Sequence, residues 1–336
     1  MNTLPEHDPL NPEPSTPPKE PSLSADEILS AVHGHFPNTI QDLTLPEDVT
    51  TAEPPLFQSW TQPETHRPAR IPHLGHLCIL ALLTIPALLG TSLLIRSALY
   101  FHLYGIYTLQ QAVTDIHYTL GSMASLYLFT FAASVLIFPL FWCKGLFEGL
   151  QWRVATALKL RRRLFAAAFV CFLLALANGL MMPGPENTPI DKLFRVPGAA
   201  WLLFAFGVTF APFFEEIVFR GFLLPALCTA WDWAIEHSTG KPGLPLDVNG
   251  HPQWSLFAMA VGSILTSVPF ALMHAEQTAH ALGPFLLLVC VSLVLCWARL
   301  STRSLAASVL VHASYNFMLF ALMLLGTGGF RHLDKM

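Results

Sequence analysis

Seven apolar stretches follow one another along the chain, and each is long enough to cross a bilayer as a helix. They are predicted at residues 77–99, 119–142, 164–182, 199–227, 256–275, 282–298 and 305–325. About 20 apolar residues in a helix span the hydrocarbon core of a membrane. The pattern therefore predicts an all-α fold, a polytopic bundle of about seven to eight transmembrane helices. An eighth span would be a further re-entrant or hydrophobic segment.

Composition supports this class of protein. The 336 residues are 53% hydrophobic and 12% charged, whereas soluble domains carry roughly 25% charged residues. No basic tract with interleaved aromatic residues occurs, so we expect no nucleic-acid partner. The six cysteines include no CxxC pair, which favours packing roles in helices over a metal or redox site.

The chain divides into three parts on this pattern. Residues 1–72 hold 14 of the 27 prolines and are predicted to form a disordered, cytoplasmic, proline-rich tail. Residues 73–160 comprise two transmembrane helices and a basic loop that we expect to lie at the membrane interface. Residues 161–328 contain the remaining spans. With the arginines at its end, the basic loop runs from 143 to 163 and holds a third of the 18 Lys and Arg residues, so the positive-inside rule places it, and the N-terminus, in the cytoplasm.

The fourth span carries charges that hydropathy alone does not explain. Glu215, Glu216 and Arg220 lie within the apolar run 211–227, where each charge costs at least ~2.5–3.5 kcal/mol and needs a partner. Glu216 and Arg220 are four residues apart and can pair on one helix face. Glu215 is rotated by about 100° and is predicted to face another polar group.

Two other spans supply such groups. His274 lies in the fifth span, and His312 and Asn316 share one face of the seventh. A carboxylate with an imidazole can hold and deprotonate a water molecule, and a second imidazole with an amide can stabilise an oxyanion. This set of side chains indicates hydrolysis.

The three motifs resemble those of the CAAX-protease and bacteriocin-processing (CPBP) family of intramembrane proteases. Residues 215–220 match EExxxR, residues 270–274 match FxxxH, and residues 312–316 match HxxxN, in the order of the family. The resemblance covers roughly residues 160–326. It implies an intramembrane endopeptidase with a catalytic membrane domain at 161–328. Glu215 would activate water, His274 would position it, and His312 with Asn316 would stabilise the oxyanion. Glu216 and Arg220 would form the supporting pair.

Several questions stay open at the level of sequence. The family has been described both as metalloproteases and as metal-independent glutamate proteases. Glu215, His274 and His312 suit a zinc site as well as a metal-free one, and we favour the latter. The expected partners are the lipid bilayer and a peptide or membrane-protein substrate, in a bacterial plasma membrane.

Other functions remain alternatives to the peptidase. The main one is a non-catalytic scaffold or immunity protein of the same fold, and a weaker one is a transporter that uses Glu215 as a proton relay. The chain contains no GxSG or GxGD motif, and HAEQTAH at 274–280 lacks the HExxH spacing. Rhomboid-type, presenilin-type and zincin-type proteases are therefore disfavoured.

Overall fold

The computed structural model describes residues 70–182, 188–196, 198–241, 245–247 and 251–330. Within these ranges every regular element is helical, and seven helices are long and apolar enough to cross a membrane. We number them α1 (Leu74–Tyr100), α2 (Ile116–Trp142), α3 (Arg161–Met181), α4 (Ala199–Thr239), α5 (Leu256–Met273), α6 (Leu282–Thr302) and α7 (Leu305–Gly326). The predicted all-α bundle is confirmed, and the chain is an integral multi-pass membrane protein. The predicted tail lies outside the described residues, except for 70–72.

The largest difference from the predicted spans is the length of α4. It has 41 residues and continues to Thr239, whereas the apolar run predicted an end at 227. The additional turns include Asp232 and Glu236, so hydropathy marks them as polar although they remain helical. The helix ends at Gly240, which has a φ of 66°. Glycine adopts this left-handed conformation without steric cost, and it commonly terminates helices.

The basic loop contains two short helices, Leu146–Gly149 and Val154–Lys159. Gln151 separates them with a φ of 57°. Leu146 and Leu150 are buried in an aromatic-rich core cluster. This part of the loop is therefore packed into the bundle rather than only laid against its surface.

The helices pack so that α4 is central. The hairpin of α1 and α2 packs against the residues that follow the glutamates, because Phe138 and Trp142 share a core cluster with Ile217 and Phe222. On the other side, α5 packs between α4 and α6, α7 contacts α4, and α3 lies against α6 and α7. Polar side chains on α4, α5 and α7 are thereby brought into one region.

Candidate active site

The glutamates lie on a short α-helical stretch between two π-helical segments of α4. The stretch is Ala211–Glu216, and the π segments are Phe206–Phe210 and Ile217–Leu223. A π turn closes with an i→i+5 hydrogen bond and contains one extra residue, and such turns are frequent at functional sites. The extra residues set the rotation of the two carboxylates relative to the rest of α4.

Glu216 and Arg220 form the predicted ion pair, and both side chains are completely buried. Arg220 Nη1 donates to Glu216 Oε1 at 2.9 Å. Its second terminal nitrogen donates to the hydroxyl and the carbonyl of Ser292 on α6, at 2.6 and 3.1 Å. The guanidinium carbon also lies 4.5 Å from the ring centroid of Phe270, a distance typical of a cation–π contact. Four groups from three helices thus fix this cation.

Glu216 also binds His312, a contact that the sequence did not predict. Nδ1 of His312 lies 2.9 Å from the same oxygen, Glu216 Oε1, that accepts from Arg220. A carboxylate in an ion pair accepts hydrogen bonds, so Nδ1 carries the proton and donates. The hydrogen bond directs the other ring nitrogen, Nε2, toward Glu215, 3.9 Å from its Oε2. Glu216 therefore orients His312 as well as pairing with Arg220.

His274 approaches the same carboxylate oxygen from α5. Its Nε2 lies 4.0 Å from Glu215 Oε2, and its Nδ1 lies 2.9 Å from the carbonyl oxygen of Phe270. A carbonyl oxygen only accepts, so the proton of the neutral ring is on Nδ1 and the lone pair of Nε2 faces Glu215. The sequence placed His274 inside the fifth span, whereas it lies just after Met273, as the C-cap of α5.

Glu215, His274 and His312 are thus brought together, and Glu215 Oε2 is the common centre of both short separations. Phe270 is buried beneath them. Its ring centroid lies 5.0 Å from that of His274 and 5.8 Å from that of His312. Glu215 and His274 retain 10% and 17% of their side-chain exposure, so a small molecule can reach them. Phe270 beneath them is 1% exposed.

Asn316 has a different environment from that of the other predicted residues. Its Nδ2 donates to the backbone carbonyl of Gly207 at 2.7 Å, in the π segment that precedes the glutamates. One of its two amide hydrogens is therefore used in holding α4. The other is the only one left for an oxyanion.

The comparison with protein families matches this part of the molecule. Residues 197–318 match the family model described as Type II CAAX prenyl endopeptidase Rce1-like. Over this segment the chain is similar to that family. The match contains all three motifs and confirms the predicted resemblance, and at the level of the family it supports a CAAX-type intramembrane endopeptidase. Helices α1 to α3 lie outside it. No curated protein and no solved structure matches the chain.

A zinc ion would impose its own spacing on Glu215, His274 and His312. Nitrogen and oxygen ligands about 2.0–2.2 Å from a tetrahedral zinc ion lie about 3.4 Å from one another. The separations from Glu215 Oε2 to His274 and His312 are 4.0 and 3.9 Å. Within the described ranges, no group of three His, Cys, Asp or Glu side chains is arranged to hold a metal ion. Both separations exceed that value, and we assign no step to a metal.

Sequence reasoning missed three contributors to the candidate site. Ser292 and Arg299 on α6 bind the side chain and the backbone of Arg220. Tyr127 of α2 stacks on Phe214, the residue before Glu215, with ring centroids 5.3 Å apart. Arg299 directly follows the predicted sixth span, where a basic residue is common, so nothing in the sequence signalled its burial.

Proposed function

We propose that this chain is an intramembrane endopeptidase that hydrolyses a peptide bond of a membrane-associated protein or peptide. The observation that carries the proposal is the convergence of Glu215 Oε2 with Nε2 of His274 and Nε2 of His312, at 4.0 and 3.9 Å, from three helices. Two hydrogen bonds of about 2.8 Å that meet at about a right angle span about 4 Å. The separations therefore suit a water molecule held between the carboxylate and an imidazole.

Glu215 is the general base in this mechanism. The water oxygen attacks the carbonyl carbon of the scissile peptide while one water proton passes to Glu215 Oε2. The carbonyl π electrons move to oxygen and form the tetrahedral oxyanion. Glu215 then returns the proton to the leaving nitrogen as the C–N bond breaks. The products are a carboxylic acid and an amine. His274 accepts the second water hydrogen at Nε2 and so sets the direction of attack.

His312 and Asn316 are the candidate oxyanion donors. Nδ1 of His312 is committed to Glu216, so Nε2 can donate to an oxyanion only in the imidazolium form. Asn316 donates one amide hydrogen to Gly207 and has one more to offer. Preorganised donors of this kind each contribute on the order of 10²–10³ in rate.

Placement in the membrane follows from charge. We propose that the basic segment 144–163 and the N-terminus face the cytoplasm of a bacterial cell, because positive loops are retained on that side. Seven spans then put the end of α7 on the opposite side. The lipid bilayer and the peptide substrate are the partners.

Hydrolysis is tested with the detergent-solubilised protein and a quenched peptide library in water enriched in ¹⁸O. The proposal predicts cleavage products in which the new carboxyl group gains one ¹⁸O from solvent, at a rate unchanged by a chelator. A rate abolished by the chelator and restored by zinc would replace the proposed mechanism with a metal-dependent one. Complete inertness of the folded protein toward the library and toward membrane-anchored peptides would favour the scaffold function.

A further inference from the structure

The first π segment of α4 leaves one carbonyl group without a donor in its own helix. In a regular helix, the carbonyl of Gly207 would accept from the N–H of Ala211, four residues on. Here the N–H of Ala211 donates to Phe206 instead. The next residue is Pro212, which has no N–H. Neither an α-type nor a π-type hydrogen bond is therefore available to Gly207.

The second π segment repeats the same arrangement 13 residues later. The carbonyl of Arg220 would accept from Leu224, but the N–H of Leu224 donates to Phe219. Pro225 follows and again offers no N–H. The glutamate stretch is thus flanked by two carbonyls that their own helix cannot satisfy, and buried carbonyls without a partner are rare and costly.

Each of these carbonyls is bound by a side chain from another helix. Asn316 Nδ2 on α7 donates to Gly207 at 2.7 Å, and Arg299 Nε on α6 donates to Arg220 at 3.1 Å. Arg299 is 1% exposed. Its other donors reach Gln151 Oε1 at 2.8 Å and the carbonyl of Leu150 at 3.5 Å. In the described part of the chain, this cation makes no ion pair with a carboxylate.

The absence of a carboxylate partner separates Arg299 from Arg220. A buried cation bonded only to neutral oxygens is expensive, so the hydrogen bonds that Arg299 makes must offset its desolvation. The guanidinium of Arg299 joins the second π segment to Leu150 and Gln151 of the basic loop, two parts of the chain that α6 alone would not connect. The position calls for several donors in one plane, which only Arg supplies.

We infer that Arg299 is a positioning residue for catalysis, and that it and Asn316 act as a matched pair of clamps on the two proline-terminated π turns. Together they fix the rotation of Ala211–Glu216, which aims Glu215 at the two histidines and Glu216 at Arg220. The expected effect on rate rests on the proposed peptidase function. The two clamping hydrogen bonds do not depend on it, so the peptidase function and the clamp can be refuted independently.

The clamp predicts a specific pattern of rescue. Pro225→Ala restores an N–H beside the carbonyl that Arg299 serves, and Pro212→Ala does the same beside the carbonyl that Asn316 serves. We expect Arg299→Gln to lower kcat about tenfold or more with KM changed less than about threefold, since it displaces the base rather than the substrate. Pro225→Ala should recover at least about half of that loss and of the loss in melting temperature, and Pro212→Ala should not.

The reciprocal pair provides the control. The melting temperature lost in Asn316→Leu should be recovered by Pro212→Ala and not by Pro225→Ala. Equal rescue by both prolines, or rescue by neither, would overturn the inference. If Arg299→Gln does not fold, Arg299→Lys replaces it, because it keeps the cation but loses the planar set of donors. Recovery of folded protein by Pro225→Ala and not by Pro212→Ala then supports the inference, and any other pattern overturns it. Melting temperatures are measured in detergent without substrate. An inactive parent protein would therefore refute the proposed peptidase function, and the pattern of rescue in melting temperature would still decide whether the clamp exists.

Discussion

The buried pair of Glu216 and Arg220 makes a quantitative prediction about stability. Two unit charges 2.9 Å apart attract by about 6 kcal/mol at an effective dielectric constant of about 20. Desolvation offsets much of this, so the pair is worth far less than that figure in net terms, while removal of one partner typically costs about 3–5 kcal/mol. Glu216→Gln keeps an oxygen for both donors and should lie near the lower value. Arg220→Met also breaks the two hydrogen bonds to Ser292 and should lie near the upper one.

The double variant provides the decisive comparison. With both charges removed, no unpaired charge is left in the core, so the two losses should not add. We expect the loss in free energy of unfolding of the double variant to be smaller than the sum of the two single losses by about 2 kcal/mol or more. The assay is the free energy of unfolding from titration with SDS in mixed micelles. Additive losses within about 0.5 kcal/mol, or a single loss below about 1 kcal/mol, would show that the pair behaves as if solvated and would refute the reasoning.

Three further predictions concern the framework around the site. Asp232 accepts hydrogen bonds from both the N–H and the hydroxyl of Ser255 at the start of α5, so Asp232→Ala should lower the free energy of unfolding by about 1–2 kcal/mol; an unchanged SDS titration midpoint would refute this. A Cβ on Gly262 would lie 2.7 Å from a cysteine sulfur of α4, whereas one on Gly121 would meet nothing within 4 Å; the same titration should show a loss of about 1–3 kcal/mol for Gly262→Ala and none for Gly121→Ala. In a variant whose only cysteine is the exposed Cys143, an impermeant maleimide should label Cys143 in inverted membrane vesicles and not in intact cells. The reverse result would contradict the proposed topology.

The fold was predictable because its main signal is local. Runs of about 20 apolar residues fix the spans within a few residues, since the backbone must satisfy its own hydrogen bonds in lipid. The end of α4 was not predictable in this way. The turns up to Thr239 are helical but contain polar residues. Hydropathy depends on composition and not on helicity, so it ended the span too early.

The sequence predicted which side chains would lie near one another, but not all of the hydrogen bonds that join them. Spacing alone paired Glu216 with Arg220, because residues four apart share a face even across a π turn. It gave no sign that His312 would bind Glu216, 96 residues away, because such a contact depends on how α4 and α7 cross. It also gave no sign that one amide hydrogen of Asn316 binds the carbonyl of Gly207, which Pro212 leaves without a donor in its own helix. That partner becomes visible only when the hydrogen bonds of the π segment are traced one by one.

The most direct test of the account compares Glu215→Gln with Glu276→Gln on a peptide that the parent protein cleaves. Glu215 lies between the two imidazoles, and Glu276 is an exposed carboxylate two residues after His274. The account predicts that Glu215→Gln keeps the melting temperature of the parent within a few degrees and loses at least about 10³-fold in kcat, while Glu276→Gln retains the parent rate. A folded Glu215→Gln protein that still cleaves at a rate near that of the parent would contradict the assignment of Glu215 as the base.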